Sequence, residues 1–204
     1  MKVAIITASA MIKTINDVKY SGKCITGLDL GSNRIVRFVQ NRQGAPIGNP
    51  FCNNFCPLNV YSVQLVERCP LKCQTENVMV DYRGAICEGK YEGGIDALYK
   101  RFQKINYDDC SFMLDSRYKL MDVSQFKHSL ELIKASDIHI QIDGKTIGSF
   151  MYRGKRFRFM RVTDPAYRGT ERNMNEAYLA ISLPSDDHEG QGYFKFIAAI
   201  YPIV

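Results

Sequence analysis

Short runs of β-branched and aromatic residues, each closed by a turn, fill most of this chain, and only one segment carries helical spacing. A chain patterned in this way must curl or stack many short strands so that alternate side chains become enclosed. In the first half the runs lie at residues 3–7, 24–30, 34–40, 58–67 and 78–82. Gly31, Ser32 and Asn33 turn the second run into the third as a hairpin, and the last run closes a first barrel. In the second half, residues 130–135 and 138–142 lead through Asp143-Gly144, a favoured hairpin dipeptide, into 146–152. Arg153-Gly154 joins that run to 155–162, and residues 177–183 and 193–201 complete the set.

Between the halves, Gly93-Gly94 precedes Ile95, Leu98, Phe102 and Ile105, spaced for one amphipathic helix. The expected fold class is mainly β, two small barrels in tandem with a short helical connection. The expected boundaries are residues 1–90 for the first barrel, 91–125 for the connection and 126–204 for the second. With 204 residues, each half is long enough for a modest core.

Apolar residues at 46% and charged residues at 24% are proportions of a folded globular chain, neither disordered nor membrane-embedded. The apolar run after Lys2 is too short for a signal peptide and reads as a first strand. No run approaches the ~20 apolar residues that a membrane span requires, so the expectation is a cytoplasmic protein. Seven cysteines, an odd number at irregular spacing, fit that setting better than a disulfide framework. A net charge of +6 is compatible with a polyanionic partner without requiring one.

These runs, in order, resemble a bacterial family described as the dual OB-containing domain. The resemblance rests on VAIIT at residues 3–7, CITGLD at 24–29, RIVRFV at 34–39, CPL at 69–71 and EN at 76–77. It continues through SLELIK at 129–134, SFMYRGKRF at 149–157, VTDP at 162–165, AYLAISL at 177–183 and FIAAIYP at 196–202. The chain departs from the family pattern by lacking a tryptophan in its third strand and by an insert at residues 10–20. The resemblance implies two OB-like barrels and a nucleic-acid-binding or nucleic-acid-sensing role in prokaryotic defence against mobile elements.

The hairpin around Arg153-Gly154 is the candidate binding element. With a two-residue turn, Tyr152 faces Lys155, Met151 faces Arg156, Phe150 faces Phe157 and Ser149 faces Arg158. Alternation then places Phe150, Phe157 and Phe159 in the core, with Ser149, Arg156 and Arg158 outside. Arg153, Lys155, Arg156, Arg158 and Arg161 concentrate cations where OB-like barrels bind oligonucleotides. Tyr152 is the candidate for stacking a base, and Tyr167 and Arg168 extend the surface. Arg34, Arg37 and Arg42 form a second cluster in the first half, with Lys19 and Lys23 nearby. For the cations of the hairpin, the alternative is a plain solvated strand face that deters edge aggregation.

Cys52, Cys56, Cys69 and Cys73 have the look of zinc ligands, but an unbroken strand between Cys56 and Cys69 holds them about 40 Å apart if straight. Neither a metal nor another cofactor is expected. Asp186, Asp187, His188 and Glu189 read as an exposed turn, and Asp164 before Pro165 as a turn start. Three functional readings stay open. The first is binding of nucleic acid, DNA or RNA; the second is an enzyme with a pocket between the barrels around Asp164. The third is a module for a protein partner, and nothing in the residues sets the oligomeric state.

Overall fold

The structure is a computed structural model that describes residues 1–105, 111–187 and 190–203. The first half contributes β1 (Lys2–Ile15), β2 (Val18–Asp29), β3 (Arg34–Val39), β4 (Ile47–Gly48), β5 (Asn59–Arg68) and β6 (Asn77–Lys90). Helix α1 (Gly94–Phe102) follows. The rest comprises β7 (Lys119–Leu120), β8 (Leu130–Asp143), β9 (Lys145–Tyr152), β10 (Lys155–Val162), β11 (Arg172–Ser182), β12 (Tyr193–Phe194) and β13 (Phe196–Pro202).

The strand pairings close two rings of the same design. In the first, β1 pairs with β2, β2 with β3, β3 in parallel with β6, β6 with β5, and β5 returns to β1. In the second, β8 pairs with β9, β9 with β10, β10 in parallel with β13, β13 with β11, and β11 returns to β8. Each is a five-stranded Greek-key barrel whose third and last strands run parallel, as in the OB architecture.

Three apolar clusters follow from strand alternation. Val3, Ile5, Ile25, Val36, Phe38 and Val78 fill the first barrel. Ile133, Ile138, Phe150, Phe157, Leu179 and Ile197 belong to the interior of the second. The third cluster lies between them. Ala4, Ile6, Leu28 and Ile35, from the outer face of β1, β2 and β3, meet Leu130, Leu132, Tyr178, Ala180 and Ala199, and Leu98 and Phe102 of α1 join this layer. The helix exists because its apolar stripe has this seam to cover.

The seam also holds polar groups. Arg37, on β3, is 3% exposed, and its Nη2 donates to Ser129 Oγ at 2.6 Å and to Ser182 Oγ at 3.3 Å. The same nitrogen lies 3.4 Å from the Glu76 carboxylate. Tyr201 donates its hydroxyl proton to the Ile6 carbonyl, a direct bond from the second barrel to the first.

The insert at residues 10–20 is the tip of the β1–β2 hairpin, closed by Asn16 and Asp17 at φ 47° and 62°. Positive φ at both central residues gives the backbone twist that paired strands need. The tip also straps the barrels together. Ala10 N donates to Thr163 O at 3.2 Å, and Lys13 Nζ reaches Ser185 Oγ at 2.9 Å and Asp186 Oδ2 at 2.8 Å.

Candidate nucleic-acid interface

Strands two and three of an OB barrel carry its ligand face on their exterior. In the first barrel that exterior is spent in the seam, which accounts for Arg37. The expectation that Arg37 contacts phosphate is therefore corrected, because its guanidinium is enclosed between the barrels. Arg34 remains exposed at the start of β3. Arg42 is also exposed but holds Glu67 through two contacts at 3.0 and 3.1 Å.

The second barrel packs through the outer sides of β8, β11 and β13, which leaves the exterior of β9 and β10 facing solvent. The turn at Arg153 and Gly154 has φ of 48° and 73°, and the register pairs Tyr152 with Lys155, Met151 with Arg156 and Phe150 with Phe157. Phe150 and Phe157 are fully buried and stack at 5.1 Å, with 6° between their planes.

Beyond Phe157 the register departs from simple alternation. The next pair is Met160 with Gly148, so Arg158 and Phe159 together oppose the single residue Ser149. This is a β-bulge, which inserts one residue, bends the strand and re-aims a side chain. Phe159 takes φ of 60° and is 60% exposed, while Met160 fills the inward position at 0%. The expected core position of Phe159 is thus corrected. A left-handed backbone at a non-glycine residue costs roughly 1–3 kcal/mol. Gly148 allows the close packing here, since a Cβ on it would fall 2.5 Å from Ile197 Cδ1.

A matching bulge lies across β9. There Asp137 and Ile138 of β8 oppose Phe150, between the pairs Ser136–Met151 and His139–Ser149, and Asp137 has φ of 50°. Asp137 accepts from His139 at 2.7 Å and is gripped by the Arg156 guanidinium. These bonds, that of Arg156 foremost, hold the Asp137 carboxyl below the usual carboxylate range. Between the two bulges lies a cavity of about 300 Å³, lined by His139, Gln141, Ser149, Arg156, Arg158 and Phe159.

The cations expected here divide by what already occupies them. Arg156 is held by Asp137, Lys155 Nζ donates to Leu114 O at 2.9 Å, and Arg153 lies 5.3 Å over the Tyr152 ring. Arg158 and Arg161 are exposed, and no carboxylate among the described residues pairs with either. Tyr152 is half-buried against the core and 6.3 Å from Phe157, and burial pushes its hydroxyl pKa up. Phe159, not Tyr152, is the exposed ring on this face. Tyr167 also packs partly on the core, and Arg168 is exposed beside it. Their loop is tied to β9 by Gly169 N donating to Thr146 Oγ1 at 2.8 Å.

The other chemical candidates have structural occupations. Asp164 accepts from Ala166 N and Ile200 N, both at 2.9 Å, and burial raises its pKa. His139 stands opposite Ser149, but its ring nitrogens face Asp137 Oδ1 and, at 2.9 Å, Asn173 Oδ1, so the imidazole is not turned to the hydroxyl. Cys52 and Cys73 find separate partners in Asn49 Oδ1 and Pro184 O. Among the described residues, no group of three or more His, Cys, Asp or Glu side chains is placed to hold a metal ion. Asp186 binds Lys13, and Asp187 accepts from Gly192 N; His188 and Glu189 lie outside the described residues.

Two barrels of OB strand order, one with the exterior of its second and third strands open, define a protein of the tandem OB class. The family comparison agrees: the dual OB-containing domain model matches residues 13–200, and the chain belongs to that family. No curated protein and no solved structure matches it. Among the described residues, no helix is long and apolar enough to cross a membrane.

Proposed function

We propose that this protein binds nucleic acid along the exterior of β9 and β10 in its second barrel. The observation that carries this reading is the contrast between two equivalent faces. In the first barrel the face is buried in the seam, while in the second it is open and presents Arg158 and Arg161 without carboxylate partners among the described residues. An unpaired arginine on an open face can release counterions from a phosphate chain at little cost to internal contacts. Arg168 and Arg34 are further candidates for the backbone, whereas Arg156 serves to hold the bulge.

The six described cysteines are all free, which suits a reducing cytoplasm, and family membership suits a sensing role in prokaryotic defence. The test is fluorescence anisotropy with labelled single-stranded DNA, single-stranded RNA and duplex over a salt series. Binding whose logarithm falls linearly with the logarithm of salt supports the proposal. Absence of binding at low salt, or binding indifferent to salt, contradicts it.

A further inference from the structure

We infer that the cavity beside Phe159 accepts one unpaired base of a single-stranded nucleic acid, stacked on the Phe159 ring. This rests on the function proposed above and narrows it to strands whose bases are free. Three observations meet at this point. The paired bulges send Phe159 outward and open a cavity of about 300 Å³ whose wall combines an aromatic ring with polar groups. Gln141 and Ser149 offer donors and acceptors for the edge of a base, and Arg158 is placed for its phosphate. The aromatic surface also continues past the cavity. Tyr118 is edge-on to Phe159 at 6.5 Å, Phe194 lies 5.8 Å from Tyr118, and Lys119 Nζ is 6.0 Å from the Phe194 ring. A run of rings with a cation at each end suits the faces and phosphates of successive nucleotides, and a second apolar protein surface would leave those cations unmatched. In a duplex each base is already stacked and paired, so its face is closed to Phe159.

The chain has no tryptophan, so Phe159→Trp installs a single indole reporter. Titration of that variant with a short single-stranded oligonucleotide is expected to quench the indole fluorescence in step with the anisotropy of the labelled strand. Phe159→Ala is expected to weaken single-strand binding about 5- to 150-fold, leave duplex binding unchanged and melt as the parent does. Binding without quenching of the indole, or single-strand affinity unmoved in Phe159→Ala, overturns the base site while leaving phosphate binding standing. Absence of all oligonucleotide binding overturns both. A parent dimer that Phe159→Ala dissociates, seen by sedimentation, also overturns the site, because it makes the ring a contact between copies.

Discussion

Phe157 and Phe159 are two positions apart, where simple alternation gives them the same job, and the bulge gives them opposite ones. Phe157 is sealed against Phe150, so Phe157→Ala is expected to cost roughly 3–5 kcal/mol in chemical denaturation. A loss under about 1 kcal/mol would mean that the ring is not part of the core. The residues do record the bulge. Apolar positions fall on odd numbers at 157 and 159, then on even numbers at 160 and 162. That switch of parity requires an extra residue in the strand, but it does not say which side chain is turned out. The same switch occurs in β8, between Ile133 and Ala135 on one side and Ile138 and Ile140 on the other. Tyr152 was legible as a ring at a turn. Its lean onto Phe157 depends on how the barrel end closes, which local pattern does not contain.

At the scale of elements, the strands were legible where they are half-buried and less so where they are wet. β1, β6 and β11 extend past their buried runs as solvent-exposed arms, at Ile15, Lys90 and Arg172, because ladder hydrogen bonds continue after the core has ended. The insert at residues 10–20 is such an arm, and its contacts with Thr163, Ser185 and Asp186 could not be read from spacing because they join distant parts of the chain. Arg37 misled for a related reason, since an outward position on a strand is exposed only if no second barrel covers it.

The Tyr201 hydroxyl, bonded to Ile6 O, offers a test of the seam. Burial, and then the nearby Asp164, raise its pKa well above the usual tyrosine range. Above about pH 10 the unfolded chain releases this proton and the folded one retains it, so its contribution to stability is present below that pH and is lost above it. Tyr201→Phe should therefore cost about 1 kcal/mol at neutral pH. From about pH 10 upward its stability should fall less steeply than that of the parent, by about 1.4 kcal/mol per pH unit. Parallel stability curves in alkali would show that the hydroxyl is not held in the seam.

Across the whole molecule, two barrels of one topology have divided their labour. One gives the exterior of its second and third strands to the seam, and the other keeps that exterior open. Two barrels, one helix and the basic hairpin were legible in strand patterning, but this division was not, because it depends on which outer faces meet. It is also what concentrates the binding proposal on a few residues. The most direct measurement is the salt dependence of single-strand binding for the parent and for a double variant, Arg158→Ala with Arg161→Ala. Because both side chains are exposed, melting should be nearly unchanged, within about 0.5 kcal/mol for each substitution. The slope of the logarithm of affinity against the logarithm of salt should flatten by about 1.4, two phosphate contacts at roughly 0.7 each on a single strand. An unchanged slope in a folded double variant would contradict the assignment of this face to nucleic acid.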